Sequence, residues 1–412
     1  MKILDRLFGR KRKKRSYEGA GIGRLLNSWT TTNKTPDELL RTDLKNLRVR
    51  SRDLAINNDY ARKFFEMLKT NVIGANGIGL QSKAKRSDGT FDKQDNDRIE
   101  KAWKRWGRKE FASVTGKLSW IDIQNVVVES LARDGEILVR KVIDQDNPYK
   151  FTLQLIECDH LDEDLNRDLQ NGNTLRMGVE LNEWGRPVNY WLSEKHSGDT
   201  SSAVQIGGKS YNIVPSNELL HLMMTNRPNQ SRGVPWMSTA MTRLYQLSQY
   251  EEAEVVAARV AACKSGFFKP NGSDGYVGDS VDDLGNTISE ASPGSFELLP
   301  VGMDFQAFDP THPAGNFAPF IKATLRGIAS GLGVSYNSLA SDLEGVNFSS
   351  IRAGVLEERQ HWKSIQAWMI EHFMVPVYTE WLRMALISNQ LAPIPVNKIS
   401  KFSEPKWQAR GF

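Results

Sequence analysis

Apolar positions along the chain change period twice. Leu39, Leu40, Leu44 and Leu47, then Leu54, Tyr60, Phe64, Phe65 and Leu68, recur at helical spacing. Thr35-Pro36-Asp37-Glu38 is a start signal: Thr35 caps, Pro36 takes the first position, and Glu38 reaches back to complete a capping box. The second run stops at Asn71-Val72-Ile73-Gly74, before a glycine-rich turn. Asp95 to Trp106 and Ser119 to Ala132 predict two more helices. From Asp134 the period changes. Glu136 to Val142 and Lys150 to Ile156 read as strands, with Phe151, Leu153 and Leu155 on one face of the second. Gly178 to Leu192 reads as a hairpin turning at Asn182 to Pro187, and short strands follow near Tyr211 to Val214 and Leu219 to Met223. The fold class predicted for this part is α+β.

Helical spacing then returns over longer runs. Ser238 to Gly266 reads as one helix, with Pro235 before it and Gly266 as a left-handed cap. At about 1.5 Å per residue it would span roughly 40 Å. Its apolar residues Met241, Leu244, Leu247, Val255 and Val256 keep only partly to one stripe. Such a helix suits packing against copies of itself; the central helix of a large domain fits the same pattern. Asn271 to Pro313 is rich in Gly, Asp, Ser and Pro, and its strand-like run is Phe296 to Leu299. It cannot bury much apolar surface alone. Asn316 to Leu332 predicts a helix with Pro319 in its first turn, and Phe320, Ile321, Leu325 and Ile328 form its stripe. Ser335 to Ser350 reads as a polar loop. Ile351 to about Leu386 predicts a further helix in which Pro376 forces a kink or break, and the proline-bearing tail to Phe412 reads as irregular.

Composition narrows the chemistry. The chain has 412 residues, 40% hydrophobic and 25% charged, enough for two or three domains. No run approaches the roughly 18–20 apolar residues of a membrane span. The short apolar start, followed by a basic run, does not read as a secretory signal. Cys158 and Cys263 fit no metal spacing and imply a reducing compartment. Net charge is +5, less than the six charges of Arg10, Lys11, Arg12, Lys13, Lys14 and Arg15 alone. Residues 1–15 read either as a short amphipathic helix for an anionic surface or as a solvated tail. Gly19 to Arg24 matches part of a phosphate loop, but no strand precedes it. Asp159, Asp162, Glu163, Asp164 and Asp168 lack the glycine and terminal glutamate of a calcium loop and read as a solvated turn, with His160 a polar turn residue. His361 and His372 lie among Trp362, Trp368 and Phe373 and read as packing or surface residues. No nucleophile elbow, Walker loop, zinc pair or Cys-x-x-Cys is present. Neither catalytic residues, nor a metal, nor a cofactor is nominated, and a non-enzyme is expected.

The order of parts, with several local stretches, resembles the phage portal proteins, in particular the lambda-like branch. The stretches are Arg52 to Gly74, Arg133 to Arg140, Asn182 to Leu192, His221 to Trp236, Gly331 to Leu339 and Asn347 to Gly354. The resemblance covers nearly the whole chain beyond about residue 20. It implies a portal-protein fold: a basic arm over residues 1–34, a wing over 35–236 (helices, then an α/β part), and a first stem helix over 237–267. A small clip over 268–314, a second stem helix over 315–340, a tunnel loop over 341–350 and a helical crown-proximal region over 351–412 complete it. Lambda-like portals usually continue past this chain's end, so a shortened crown is expected.

The resemblance further implies a homo-oligomeric ring, usually of about twelve subunits, at one capsid vertex of the virion, assembled in the host cytoplasm. Double-stranded DNA would pass through it without sequence recognition. The terminase large subunit, a head-tail adaptor and the major capsid or scaffold protein would be its partners, with no small-molecule substrate. A channel that lets DNA slide needs few phosphate contacts, because each adds affinity through counterion release. Lys322 and Arg326, four residues apart on one helix face, are the candidate cations. Pairing with Asp or Glu of a neighbouring subunit is the equal alternative. Asp342, Leu343, Glu344, Gly345, Val346 and Asn347 are the candidates to project toward DNA. Two other readings remain: a nucleic-acid-binding protein or nuclease using the basic run, and a membrane-peripheral scaffold using residues 1–15.

Overall fold

The computed structural model describes residues 32–194, 210–262, 266–270, 280–281, 287–288, 303–307, 317–344 and 347–411. Helix α1 (Pro36–Asn57) starts where the cap signal places it, the Thr35 hydroxyl accepting from the Glu38 amide at 3.3 Å. Only this half of the expected capping box forms; the Glu38 carboxylate lies 3.8 Å from Arg41 instead. Asn58 then turns extended, and its side chain caps α2 (Asp59–Leu68). The two apolar runs are therefore two helices, with Leu54 on the first. A π turn, Lys69–Ile73, ends α2 at Gly74.

Strand β1 (Gly79–Gln81) and helices α3 (Lys93–Trp106), α4 (Lys109–Ala112) and α5 (Trp120–Asp134) follow. A full capping box between Ser119 and Asp122 opens α5. The section after Asp134 becomes β2 (Glu136–Val142), β3 (Thr152–Ile156), β4 (Arg167–Asp168), β5 (Thr174–Arg176), β6 (Val179–Leu181), β7 (Pro187–Ser193), β8 (Tyr211–Pro215) and β9 (Leu219–Met223). These make two antiparallel sheets, ordered β3-β2-β9 and β4-β5-β6-β7-β8. The fold is mixed helix and sheet.

Helix α6 (Met241–Ala262) is shorter than the Ser238 to Gly266 run. Residues 236–240 form turns, and Gly266 opens a strand and does not cap the helix. Strand β10 (Gly266–Pro270) is followed by the short pair β11 (Ser280–Val281) and β12 (Thr287–Ile288), and then pairs antiparallel with β13 (Met303–Ala307). The expected strand at Phe296 to Leu299 lies outside the described residues. The alternation of Met303, Phe305 and Ala307 was the sequence signal for the strand that the reading missed. Helix α7 (Phe317–Leu332) carries Pro319 in its first turn as expected. Part of the predicted loop is a short helix, α8 (Tyr336–Ala340), and α9 (Phe348–Met369) starts three residues before Ile351. Pro376 sits in the first turn of α10 (Val375–Ile387), directly after a π turn at Ile370–Met374. The tail is not irregular: after α11 (Ile399–Phe402), strand β14 (Lys406–Gln408) pairs antiparallel with β1.

Helices α2, α3, α5, α9 and α10 share one large core. At its centre Trp103, Trp106, Trp120, Tyr378 and Trp381 pack with ring centroids 4.8–6.3 Å apart, and Trp407 of β14 reaches Trp103 at 6.4 Å. The Trp106 indole donates to the Phe151 carbonyl at 2.9 Å.

A buried ionic node joins this core to the sheets. Glu136, fully buried, accepts from Arg48 (2.6 Å), Arg232 (2.7 Å), His221 (2.9 Å, in contact through Nε2) and the Gly233 amide (2.6 Å). Arg48 also pairs with Glu163 at 2.8 Å, and Arg52 pairs with Asp134 and Asp159. Arg232 donates further to the carbonyls of Cys158, Leu161 and Met177. Asp159 and Glu163 are therefore ion-pair partners and not members of a solvated turn, a correction that follows from the arginines α1 presents to them. Burial pushes Glu136 up, but the charges of Arg232, Arg48 and His221 outweigh it and hold the carboxyl well below the ordinary range. Gly135, at φ 86°, lies so close to the chain at 233–234 that a Cβ would sit 2.4 Å from the Val234 carbonyl carbon.

Candidate functional site

The side chains proposed for the channel collect around α7, α8 and the connection to α9. Helix α7 packs on the first half of α6. Thr239 donates to the Gly331 carbonyl at 3.2 Å, and Tyr250 of α6 meets Phe317 and Phe320 at 5.8 and 5.0 Å between ring centroids. Met241, Leu244 and Leu247 of α6 are buried, while Val255 and Val256, further along, are 61% and 50% exposed. On α7, Leu325 and Ile328 are buried and Phe320 is half exposed.

Lys322 and Arg326 do share one face of α7, and each has a partner within the chain. Lys322 Nζ lies 2.9 Å from the Glu344 carboxylate and 3.3 Å from that of Asp342. Neither expected partner, DNA phosphate nor a neighbour's acid, anticipated this pairing with the chain's own loop. The Arg326 guanidinium lies 5.5 Å over the Tyr336 ring. Tyr336 in turn donates its hydroxyl to Asp342 at 2.6 Å, and the Glu344 amide donates to the other Asp342 oxygen at 2.9 Å. Asp342 thus accepts from side chains of α7 and α8 and from its own turn, just after Ser341 adopts φ 52°. The hydrogen bonds from Tyr336 and from the Glu344 amide hold the Asp342 carboxyl below its ordinary value, and those with Glu344 and Asp342 raise Lys322. Burial, then the bond to Asp342, raises Tyr336.

The two acids differ. The Asp342 side chain is 21% exposed, and that of Glu344 is 82% exposed. Leu343 between them is 65% exposed, and Asn347 is exposed. Gly345, Val346 and the basic run Arg10 to Arg15 lie outside the described residues. On the far side of α8, Ser335 and Ser338 donate to buried Glu358 of α9 at 3.1 and 2.8 Å, fixing the helix that carries Tyr336. Tyr336 and Glu358 were missed in the sequence. Tyr336 sits in a quoted stretch, yet nothing in its spacing shows that its hydroxyl meets Asp342.

The arrangement places two cations, an aromatic ring and two carboxylates on one small surface, at balanced charge. Among the described residues no group of His, Cys, Asp and Glu could hold a metal ion, and no helix is long and apolar enough to cross a membrane.

Comparison with known proteins places the chain in a family. The profile of the phage portal proteins, lambda family, matches residues 22–366. The probable portal protein of Halomonas phage phiHAP-1 is 38% identical over 408 residues, covering 97% of this chain and 77% of that protein. Portal protein B of Escherichia phage lambda is 20% identical over 423 residues, covering 94% and 77%. A solved chain from the neck of an empty gene transfer agent particle, 12% identical, covers 89% of this chain and 84% of its own length at a TM-score of 0.47. None of these names a catalytic family. From the match over residues 22–366 and the relation to the phiHAP-1 protein, the chain belongs to the lambda family of phage portal proteins.

Proposed function

We propose that this portal protein forms a closed ring at one capsid vertex and that duplex DNA passes through its centre during packaging and ejection. The terminase large subunit, a head-tail adaptor and the capsid or scaffold protein dock on the ring, and the ring carries out no chemistry itself. In this reading α6 and α7 are the stem helices, the β10–β13 excursion is the clip, and the connection 341–347 faces the channel. The observation that carries it is the family match over residues 22–366. The second half of α6 supports it, because Val255 and Val256 are apolar side chains that this chain alone leaves in water. A head-to-tail contact that closes on itself would cover them and generate a ring.

The test is native mass spectrometry with negative-stain microscopy of the purified full chain. Rings with a central hole and a mass near twelve chains, by the family's usual number, are expected. A stable monomer at micromolar concentration in moderate salt would overturn the reading.

A further inference from the structure

We infer that Glu344 is a built-in phosphate mimic: it occupies Lys322 when no DNA is near and yields it to a DNA phosphate, while Asp342 stays in place as the fixed anchor of the loop. The inference rests on the reading that α7 and the 341–347 connection face the channel.

The asymmetry of the two carboxylates is the argument. Asp342 has three donors, from Lys322, Tyr336 and the Glu344 amide, and is mostly covered. Removing it would undo the turn and leave the Tyr336 hydroxyl without its acceptor. The Glu344 side chain is 82% exposed, and Lys322 is its ion-pair partner. An exposed ion pair between flexible side chains contributes little and is screened by salt. A duplex sliding past offers closely spaced phosphates, anions of the same kind as the Glu344 carboxylate. Exchange therefore loses one weak pair and gains another, with no buried group exposed.

The physical consequence is a site that holds DNA weakly by design of charge. A free Lys322 in every subunit would multiply counterion-release affinity and hold the duplex. With Glu344 in competition, each phosphate contact must first displace a carboxylate. Arg326, exposed on the same face, holds its guanidinium 5.5 Å over the Tyr336 ring.

The experiment compares the full-length protein with Glu344→Gln, Lys322→Gln and the double variant, each verified by ring mass. First, lysine acylation followed by peptide mass spectrometry reads Lys322 directly without DNA. Glu344→Gln leaves Lys322 with Asp342 alone at 3.3 Å and should still raise its labelling; equal labelling would show that Glu344 does not control access to the lysine, and would overturn the inference whatever the ring does. Second, binding of a blunt duplex is measured from 50 to 200 mM salt. Glu344→Gln should steepen the salt dependence by about 0.9 for each freed lysine that meets a phosphate, a roughly 3–4-fold gain at the low-salt end for each. The double variant should lose that gain. A gain that survives in the double variant would assign the effect to removed negative charge in general and overturn the mimic. If the unchanged ring binds no duplex while Lys322 labelling still responds, the channel reading falls and the helix–loop pair stands.

Discussion

Glu136 shows how a single residue can hold distant parts of the chain in register. Arg48 comes from α1, Arg232 from the segment before α6 and His221 from β9, and all meet at one carboxylate. Replacing Glu136 by Gln keeps the shape, leaves buried Arg232 without its carboxylate and leaves buried Arg48 with Glu163 alone. Removing one partner of a buried pair costs about 3–5 kcal/mol. A fall of that size in urea-unfolding stability is expected, and a loss under about 1 kcal/mol would show that water compensates the arginines. Glu180 makes a pH prediction. Burial pushes it up, but hydrogen bonds from Asn173, Asn189, Trp191 and Asn171 outweigh this and bring it to about 2. A carboxyl depressed on folding stabilises above its ordinary value near 4.5 and loses that contribution as pH falls toward 2. Trp191 fluorescence should therefore report loosening of the β4–β8 sheet between these pH values, and Glu180→Gln should flatten that dependence.

At the scale of elements, the aromatic centre ties α3 and α5 to α10 and to the tail strand. Trp106 and Trp381 are both fully buried there. Trp106 donates to the Phe151 carbonyl at 2.9 Å, whereas the Trp381 indole N–H has no hydrogen-bond partner among the described residues. Both substitutions to Phe lose ring volume, but only Trp106→Phe also leaves the carbonyl orphaned. It should cost about 1–3 kcal/mol more than Trp381→Phe, by the desolvation of an unmatched buried acceptor. Equal losses in parallel chemical denaturation would remove the hydrogen bond from the account.

For the whole molecule, assembly and folding should separate. Val256 is half exposed in the isolated chain, so a charge there meets water in the monomer and an apolar partner in a ring. Val256→Asp should shift native mass spectra from rings toward free chains while changing subunit stability by less than about 0.5 kcal/mol, as surface substitutions usually do. Rings of unchanged mass and salt tolerance would place the subunit contact elsewhere.

Sequence by itself determined the elements whose signals are local. A Thr-Pro start, a Ser119–Asp122 box and the β-rich run Glu136 to Val142 depend only on neighbours along the chain, and each appears within a few residues of its expected place. The ordered stretches also determined the family, because they record which residues the fold tolerates. Two of them, Arg133 to Arg140 and His221 to Trp236, meet at Glu136 and at the Gly135–Val234 contact, so part of the resemblance reports backbone crowding and buried charge. Tertiary structure alone decided the rest. Lys322 stands twenty-two residues from Glu344, and Arg48 eighty-eight from Glu136. Which charges neutralise each other over such separations depends on where the chain returns in space, and neither period nor spacing carries that information. The tail's pairing of β14 with β1 has the same cause: a three-residue strand has almost no pattern of its own, and its partner, over three hundred residues earlier, supplies the hydrogen bonds that define it.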